Sequence, residues 1–375
     1  MGLPGDHDRG RAHEETVIPA IRKTLTAAAV ATVVLAGSSA CGTVENLTAG
    51  QKLDRAFDKL GKEHSLSFEL DLDADAATLK AMDSAAKPED KMPDEIAELI
   101  SGARLSVSMR SGKPIEESGE KDFSATAMKL GGPDGDLLEY RQIGDYTYFR
   151  ADVAKLGKAT GNPMPSADEL PDSAGAFKKV LDGKWVKVAT KDLEETRDQM
   201  EEMEAPAGRK PAAEPTLDAK AQKKLVKALR QVVTREVDFK TGGGADGTEH
   251  IKATAPFRTL MTELVDELRP LSKKLPPGTG LPTAKELKEV PNKKVTADFT
   301  LKDGALTEVS VDLAALAENA KVKKFALVVR MGKGQEAKVP AGATAVKLDE
   351  LMEDFFQGGA ADAFSEEDFE EDVQG

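Results

Sequence analysis

Thiols and aromatic rings are scarce in this chain of 375 residues. Cys41 is the only cysteine, so no disulfide can form within the chain, and an exported domain would rely on its hydrophobic core alone. Aromatic residues make up 5% of the sequence, so we expect a core of mainly Leu, Val and Ala. The apolar run Leu25–Ala36 is about 12 residues long. It is too short for a membrane-spanning helix, which needs roughly 20 residues.

Histidine is also scarce, and the positions of the four histidines argue against catalysis. His64 and His250 are isolated from the neighbours that a metal site or a Ser-His-Asp triad would need. The flexible turn Gly242-Gly243-Gly244 lacks the Lys-Ser/Thr ending of a phosphate-binding loop. The sequence therefore predicts no enzyme activity, no metal site and no cofactor.

The net charge of −14 limits the partners that the chain can have. An acidic protein without a dense basic patch is a poor match for nucleic acid, so we expect no nucleic-acid partner. Anionic lipid headgroups would also repel the chain unless it were tethered. Two acyl chains would hold it at a membrane despite this repulsion, because each buried methylene contributes about 0.8 kcal/mol.

The N-terminal region has the layout of an export signal. Arg22 and Lys23 precede the apolar run Leu25–Ala36, which leads into the small residues Gly37-Ser38-Ser39-Ala40 and then Cys41. This order resembles the lipobox signals that are cleaved by the lipoprotein signal peptidase. The resemblance implies that residues 1–40 are removed by cleavage between Ala40 and Cys41. It also implies that Cys41 is acylated and anchors the protein at the extracellular face of the cell membrane.

Two features of this region leave alternatives open. Ser38 stands where the strongest lipoboxes carry Leu, and Ser38-Ser39-Ala40 also fits ordinary signal peptidase, which would release a soluble protein with an unmodified Cys41. A third alternative is a buried helix with a chance cysteine. Residues 1–16 are polar and mixed in charge, unlike a basic signal segment, so the natural start is expected at Val17.

Hydrophobic patterning beyond Cys41 predicts an α+β fold. We expect a tether over 41–50, one domain over 51–348 and an acidic, disordered tail over 349–375. About eleven strands are predicted, mostly joined by short hairpins such as those at Gly144-Asp145 and Asp303-Gly304. Hairpins imply antiparallel order, and hence a curved antiparallel sheet, an incomplete β-barrel, with helices covering one side.

The order of these elements resembles a known type of protein. An amphipathic helix after the tether leads into the strand Leu66–Leu72, the aromatic hairpin Ile143–Phe149 is followed by Gly183–Val186, and Val339–Gly342 comes near the end of the predicted domain. This order is similar to that of actinobacterial lipoproteins of the LppX/LprG type and, more distantly, of the lipoprotein carrier LolA. The resemblance implies an incomplete barrel with helices over its mouth and a hydrophobic cavity for a lipid or an acyl chain.

These observations predict a membrane-anchored lipoprotein that binds or carries a lipid or another apolar ligand. The alternative is a surface lipoprotein that binds another protein, an envelope enzyme or a sensor, through its acidic segments. The protein partner is not identified by the sequence. The apolar spacing of Phe257–Leu268 predicts a helix that could act as a lid. The candidate ligand-binding residues are the aromatic cluster and two residues of this helix, namely Tyr140, Tyr146, Tyr148, Trp185, Phe257 and Leu264.

Overall fold

The computed structural model describes most of the chain beyond the signal region, namely residues 44–82, 91–119, 122–160, 166–169, 175–196, 231–244, 246–270, 281–317, 322, 324–332 and 337–349. Residues 1–43 lie outside this part, so the predicted signal, the Val17 start, the cleavage site at Ala40 and the acylated Cys41 stay predictions. The predicted tail also lies outside it, apart from its first residue.

The described residues form twelve strands and several helices. The strands are β1 Ser65–Asp73, β2 Arg104–Ser111, β3 Phe123–Gly132, β4 Gly135–Ile143, β5 Tyr146–Ala151, β6 Val186–Ala189, β7 Asp238–Gly243, β8 Thr248–Pro256, β9 Lys294–Lys302, β10 Ala305–Asp312, β11 Ala326–Gly332 and β12 Thr344–Ala345. The α-helices are α1 Val44–Gly61, α2 Ala76–Met82, α3 Asp94–Gly102, α4 Val153–Thr160, α5 Gly175–Leu181, α6 Phe257–Leu268 and α7 Ala284–Glu289. Residues 190–196 and 231–236 are also helical.

The chain divides into two compact units, so the predicted domain 51–348 contains parts of both. The first unit comprises Met1–Asp58 and Ala212–Gly304, and the second comprises Lys59–Pro211 and Ala305–Gly375. The boundary between Pro211 and Ala212 falls within the Pro/Ala-rich segment 205–216, which lies outside the described residues.

The first unit has a closely packed core. Its strands are antiparallel in the order β9-β8-β7, and α6 contacts both β8 and α7. The amphipathic spacing of α6 buries Phe257, Met261, Leu264 and Val265, and its bounds match the prediction from that spacing. Phe299 of β9 is fully buried and meets Phe57 of α1 edge-to-face, with 6.5 Å between ring centroids.

The second unit is built on nine strands in the order β12-β6-β5-β4-β3-β2-β1-β11-β10. Adjacent strands are antiparallel except for β12 and β6, which are parallel and make the sheet mixed. The order is linear, so the sheet is open, as an incomplete barrel requires. Helix α3 contacts β1 and β3, α4 contacts β4, and α5 contacts β5. The predicted α+β class is confirmed.

Some boundaries differ from the sequence predictions for physical reasons. Helix α1 begins at Val44, inside the segment 41–50 that was predicted as a tether, and Ala49 and Gly50 of that segment are buried. Gly242 and Gly243 were predicted as a turn but pair with β8 inside β7. The turn lies beyond them, where Asp246 and Gly247 adopt positive φ angles of 55° and 74°.

Candidate functional site

The sheet of the second unit has one apolar face and one polar face. Side chains alternate between faces along a strand, and residues that are paired across strands share a face. The apolar face includes one continuous row across β11, β1, β2, β3, β4 and β5, formed by Met331, Phe68, Val107, Met128, Tyr140 and Phe149. The polar face includes a neighbouring row from β10 to β5, formed by Glu308, Arg330, Glu69, Ser106, Lys129, Glu139 and Arg150.

The apolar face is only partly buried. Its side chains on β1 and β2 are all half-buried, namely Leu66, Phe68, Leu70, Leu72, Leu105, Val107 and Met109. Met128, in the middle of the sheet, is 36% exposed. In the first unit, by contrast, Ile251 and Phe299 are 0% exposed. The second unit therefore keeps accessible apolar surface on this face, where a filled core would leave little.

The charges on the polar row alternate in sign. Arg330 lies between Glu308 and Glu69, at 3.3 Å and 3.7 Å, and Glu139 lies opposite Arg150. Ser106 interrupts the alternation in the middle of the row. Opposite charges that face each other across strands stabilise a sheet by a few tenths of a kcal/mol to about 1 kcal/mol per pair. The positive and negative charges of this row therefore compensate one another on the polar face.

Glu139 is the most buried charged group of this row, at 6% exposure. Its carboxylate accepts hydrogen bonds from Arg141 Nη2 at 2.9 Å and from Arg150 Nε at 2.7 Å, and Arg150 Nη2 also donates to it. Both guanidinium groups lie against the indole ring of Trp185, at 4.7 Å and 5.3 Å from the ring centroid. One buried carboxylate and one aromatic ring thus hold two arginines in place.

Arg330 forms the second charged centre on this face. Its Nη1 donates to Asp71 Oδ2 at 2.7 Å, and this hydrogen bond raises the pKa of the guanidinium above its usual value despite partial desolvation. Nearby Glu308 and Glu69 act in the same direction. The charged form of Arg330 is therefore favoured by its carboxylate neighbours.

A groove of about 1030 Å³ lies on the polar face between these two centres. Small residues form its floor, namely Ser67, Ser106, Ser108, Ala127 and Gly332, and charged side chains flank it. Four residues of the apolar row also contribute to its lining, namely Phe68, Val107, Met128 and Met331. Ala337 and Lys338 lie at its rim, where Arg141 Nη1 donates to the carbonyl oxygen of Lys338 at 2.8 Å. A second cavity of about 490 Å³ shares Asp136 and Glu139 with the groove. Hydrogen-bonding groups form part of the lining of both cavities.

The structure separates the six candidate residues into three places. Tyr146, Tyr148 and Trp185 lie together at the β4–β6 end of the polar face, with 6.4 Å between the two tyrosine rings. Tyr140 lies on the apolar face, paired with Phe149. Phe257 and Leu264 are 7% and 6% exposed in the core of the first unit.

Sequence reasoning missed the pairing of Glu139 with Arg150, although a signal for it was present. The two-residue turn at Gly144-Asp145 sets Ile143 opposite Tyr146, and that register places Glu139 opposite Arg150.

The isolation predicted for His250 is wrong, since its Nδ1 lies 3.0 Å from Asp298 Oδ1 on the next strand. Within the described residues, no cluster of three or more His, Cys, Asp or Glu side chains is placed to hold a metal ion.

Comparisons with known proteins give a likeness in structure but none in sequence. No protein-family model and no curated protein matches the sequence. Among solved structures, the chain is similar to the lipoprotein LppX of Mycobacterium tuberculosis, at 10% sequence identity over 78% of this chain and 98% of that chain, with a TM-score of 0.29. LppX is one of the lipoproteins whose order of elements the sequence resembles. A TM-score this low transfers no residue, ligand or activity to the chain. None of the helices in the described part is both long and apolar enough to cross a membrane.

Proposed function

We propose that this chain is a lipid-anchored envelope protein whose second unit binds an acyl lipid. The observation that supports the proposal is the half-buried apolar face of β1–β5 and β11, with Met128 36% exposed at its centre. Apolar patches of this kind on a folded chain are typical of binding surfaces. An acyl chain laid on this face would gain about 0.8 kcal/mol for each methylene removed from water.

The position of Cys41 is compatible with anchoring close to the folded chain. Helix α1 begins at Val44, only a few residues after Cys41. An acyl group on Cys41 would therefore hold the start of this helix near the membrane surface. With a net charge of −14, the chain would be repelled by anionic headgroups, so attachment depends on the acyl chains. The alternative function, protein binding through acidic segments, rests mainly on residues outside the described part.

Photocrosslinking tests the lipid-binding face on the intact, membrane-attached chain. The full chain would be placed in phosphatidylcholine vesicles that contain a diazirine-labelled palmitoyl lipid, irradiated, digested and mapped by mass spectrometry. We expect adducts on apolar-face residues of β1–β3, such as Phe68, Val107 and Met128.

A matched pair of variants on one strand distinguishes the two faces. Met128→Glu places a carboxylate on the apolar face and should lower the adduct yield at least tenfold, because burying an unpaired charge costs more than 1.4 kcal/mol. Ala127→Leu changes the neighbouring residue, which faces the other side of the sheet, and should leave the yield unchanged. Absence of adducts on the apolar face, or equal loss in both variants, would contradict lipid binding there.

Anchoring is tested separately. Cys41→Ala should move the protein out of the membrane fraction, and the wild-type protein should carry an acyl mass on its N-terminal peptide. Retention of Cys41→Ala in the membrane, or an unmodified Cys41 in the mature wild-type protein, would refute the anchor.

A further inference from the structure

The groove on the polar face plays no part in binding an acyl lipid on the opposite face. Its floor is a run of small residues on four consecutive strands, in which Gly332, Ser67, Ser108 and Ala127 are paired in register across β11, β1, β2 and β3. At roughly 4.8 Å between strands, this run is about 14 Å long. Its side chains leave the backbone of the sheet open to a ligand.

The charges that flank the groove are balanced rather than of one sign. The cationic side chains are Lys129, Arg141, Arg330 and Lys338, and the anionic ones are Glu69, Asp136 and Glu139. Most of these groups are already paired, for example Lys129 with Asp136 at 3.3 Å and Arg141 with Glu139 at 2.9 Å. A ligand with a high charge of either sign would have to compete with these pairs, and an acyl chain would desolvate them without replacing their hydrogen bonds.

The groove nevertheless keeps hydrogen-bonding capacity of both kinds. Among the described residues, the hydroxyl groups of Ser106 and Ser108 have no hydrogen-bond partner, and each can donate and accept. Arg141 makes two described hydrogen bonds, through Nη1 and Nη2, out of the five that a guanidinium can donate. Trp185 adds an aromatic ring beside Arg141.

We propose that this groove binds a neutral oligosaccharide. Hydroxyl groups of a sugar can both donate and accept, so they can bind alternating carboxylate and guanidinium groups without breaking the ion pairs. The volume of about 1030 Å³ lies at the upper end of the roughly 300–1,000 Å³ range of small-molecule pockets, so it has room for several sugar rings. The proposal does not depend on lipid binding, which involves the opposite face.

Trp185 provides a direct assay because it is the only tryptophan in the chain and contacts Arg141 of the groove. The full chain would be purified in a polyoxyethylene detergent, since detergents with sugar headgroups would compete. It would then be titrated with neutral pentasaccharides of glucose, mannose, galactose or arabinose. We expect a saturable change in tryptophan emission with at least one of them.

Two variants on neighbouring strands show whether the response comes from the groove. Ala127→Leu fills the floor of the groove and should weaken binding at least tenfold. Met109→Glu changes the apolar face of β2, outside the residues that line the groove, and should bind as the wild type does. Should Ala127→Leu fail to fold, as judged by circular dichroism, Ser108→Ala removes one hydroxyl group without adding bulk and should weaken binding several-fold.

Three outcomes would overturn the proposal. The first is the absence of a response to every neutral pentasaccharide. The second is a response that appears only with inorganic phosphate or citrate, which would show an anion site. The third is unchanged pentasaccharide binding by Ala127→Leu, or by Ser108→Ala where Ala127→Leu does not fold. Lipid crosslinking on the apolar face would be unaffected by any of these results, so the two proposals can fail independently.

Discussion

Replacing Glu139 with glutamine tests whether the buried carboxylate organises the polar face. Glu139 is 6% exposed and accepts charge-assisted hydrogen bonds from Arg141 and Arg150. Glutamine keeps the size of the side chain and one acceptor oxygen but removes the negative charge. Two guanidinium groups would then face each other beside Trp185 without the counter-charge that holds them.

The expected cost follows from the burial of the three groups. Hydrogen bonds to charged groups contribute about 1.5–3 kcal/mol each, and removing one partner of a fully buried ion pair costs roughly 3–5 kcal/mol. Here the arginine side chains are 27% and 38% exposed, so water can solvate part of the charge that is released. Asp136, at 3.6 Å from Arg150, also retains some compensation. We therefore expect Glu139→Gln to lower the free energy of unfolding by about 2 kcal/mol.

Urea and thermal unfolding, followed by the emission of Trp185, measure this change at the affected site. A loss of about 2 kcal/mol should lower the midpoint temperature by roughly 4–8 °C in a unit of this size. Glu69→Gln is the matched control on the same row. Its carboxylate is 37% exposed and lies 3.7 Å from both Arg104 and Arg330, so its loss should cost about 0–1 kcal/mol. Equal destabilisation by the two variants would refute the assigned role of the buried carboxylate.

Two further predictions concern local structure. Gly102→Ala should destabilise the fold by about 1–3 kcal/mol in urea unfolding, because the new methyl group would lie 2.5 Å from Pro133 Cγ. Gly112→Ala, with no atom within 4 Å of the new methyl, is its control, and equal effects would contradict the clash. Asp122 should titrate below its ordinary pKa of 3.8, because the backbone N–H of Gly119 and then Lys113 stabilise its carboxylate. Its stabilising effect is therefore complete above that pH and is lost as the pH falls through the lowered pKa. Carboxyl-carbon NMR would measure this titration, and a midpoint at or above 3.8 would contradict it.

The local sequence was sufficient to predict strand register and helix bounds where a turn or a regular spacing of apolar residues fixed them. The two-residue turn at Gly144-Asp145 determined the register of β4 and β5, and the spacing of apolar residues determined the bounds of α6. The local sequence did not predict β12, a two-residue strand that pairs with β6 in parallel, because so short a strand leaves no periodic pattern of apolar residues. Nor did alternation along one strand reveal which residues of different strands share a row.

The sequence by itself determined the alternation of apolar and polar residues along single strands, the acidic net charge and the export-like region around Cys41. These follow from residue type and spacing along the chain, which tertiary contacts do not alter. Only the tertiary structure decided that the apolar face of the second unit is half-buried while the first unit has a filled core. It also decided that Tyr146, Tyr148 and Trp185 share the polar face while Tyr140 lies on the other. Burial and cross-strand neighbours depend on how distant segments pack, and local spacing does not encode that packing.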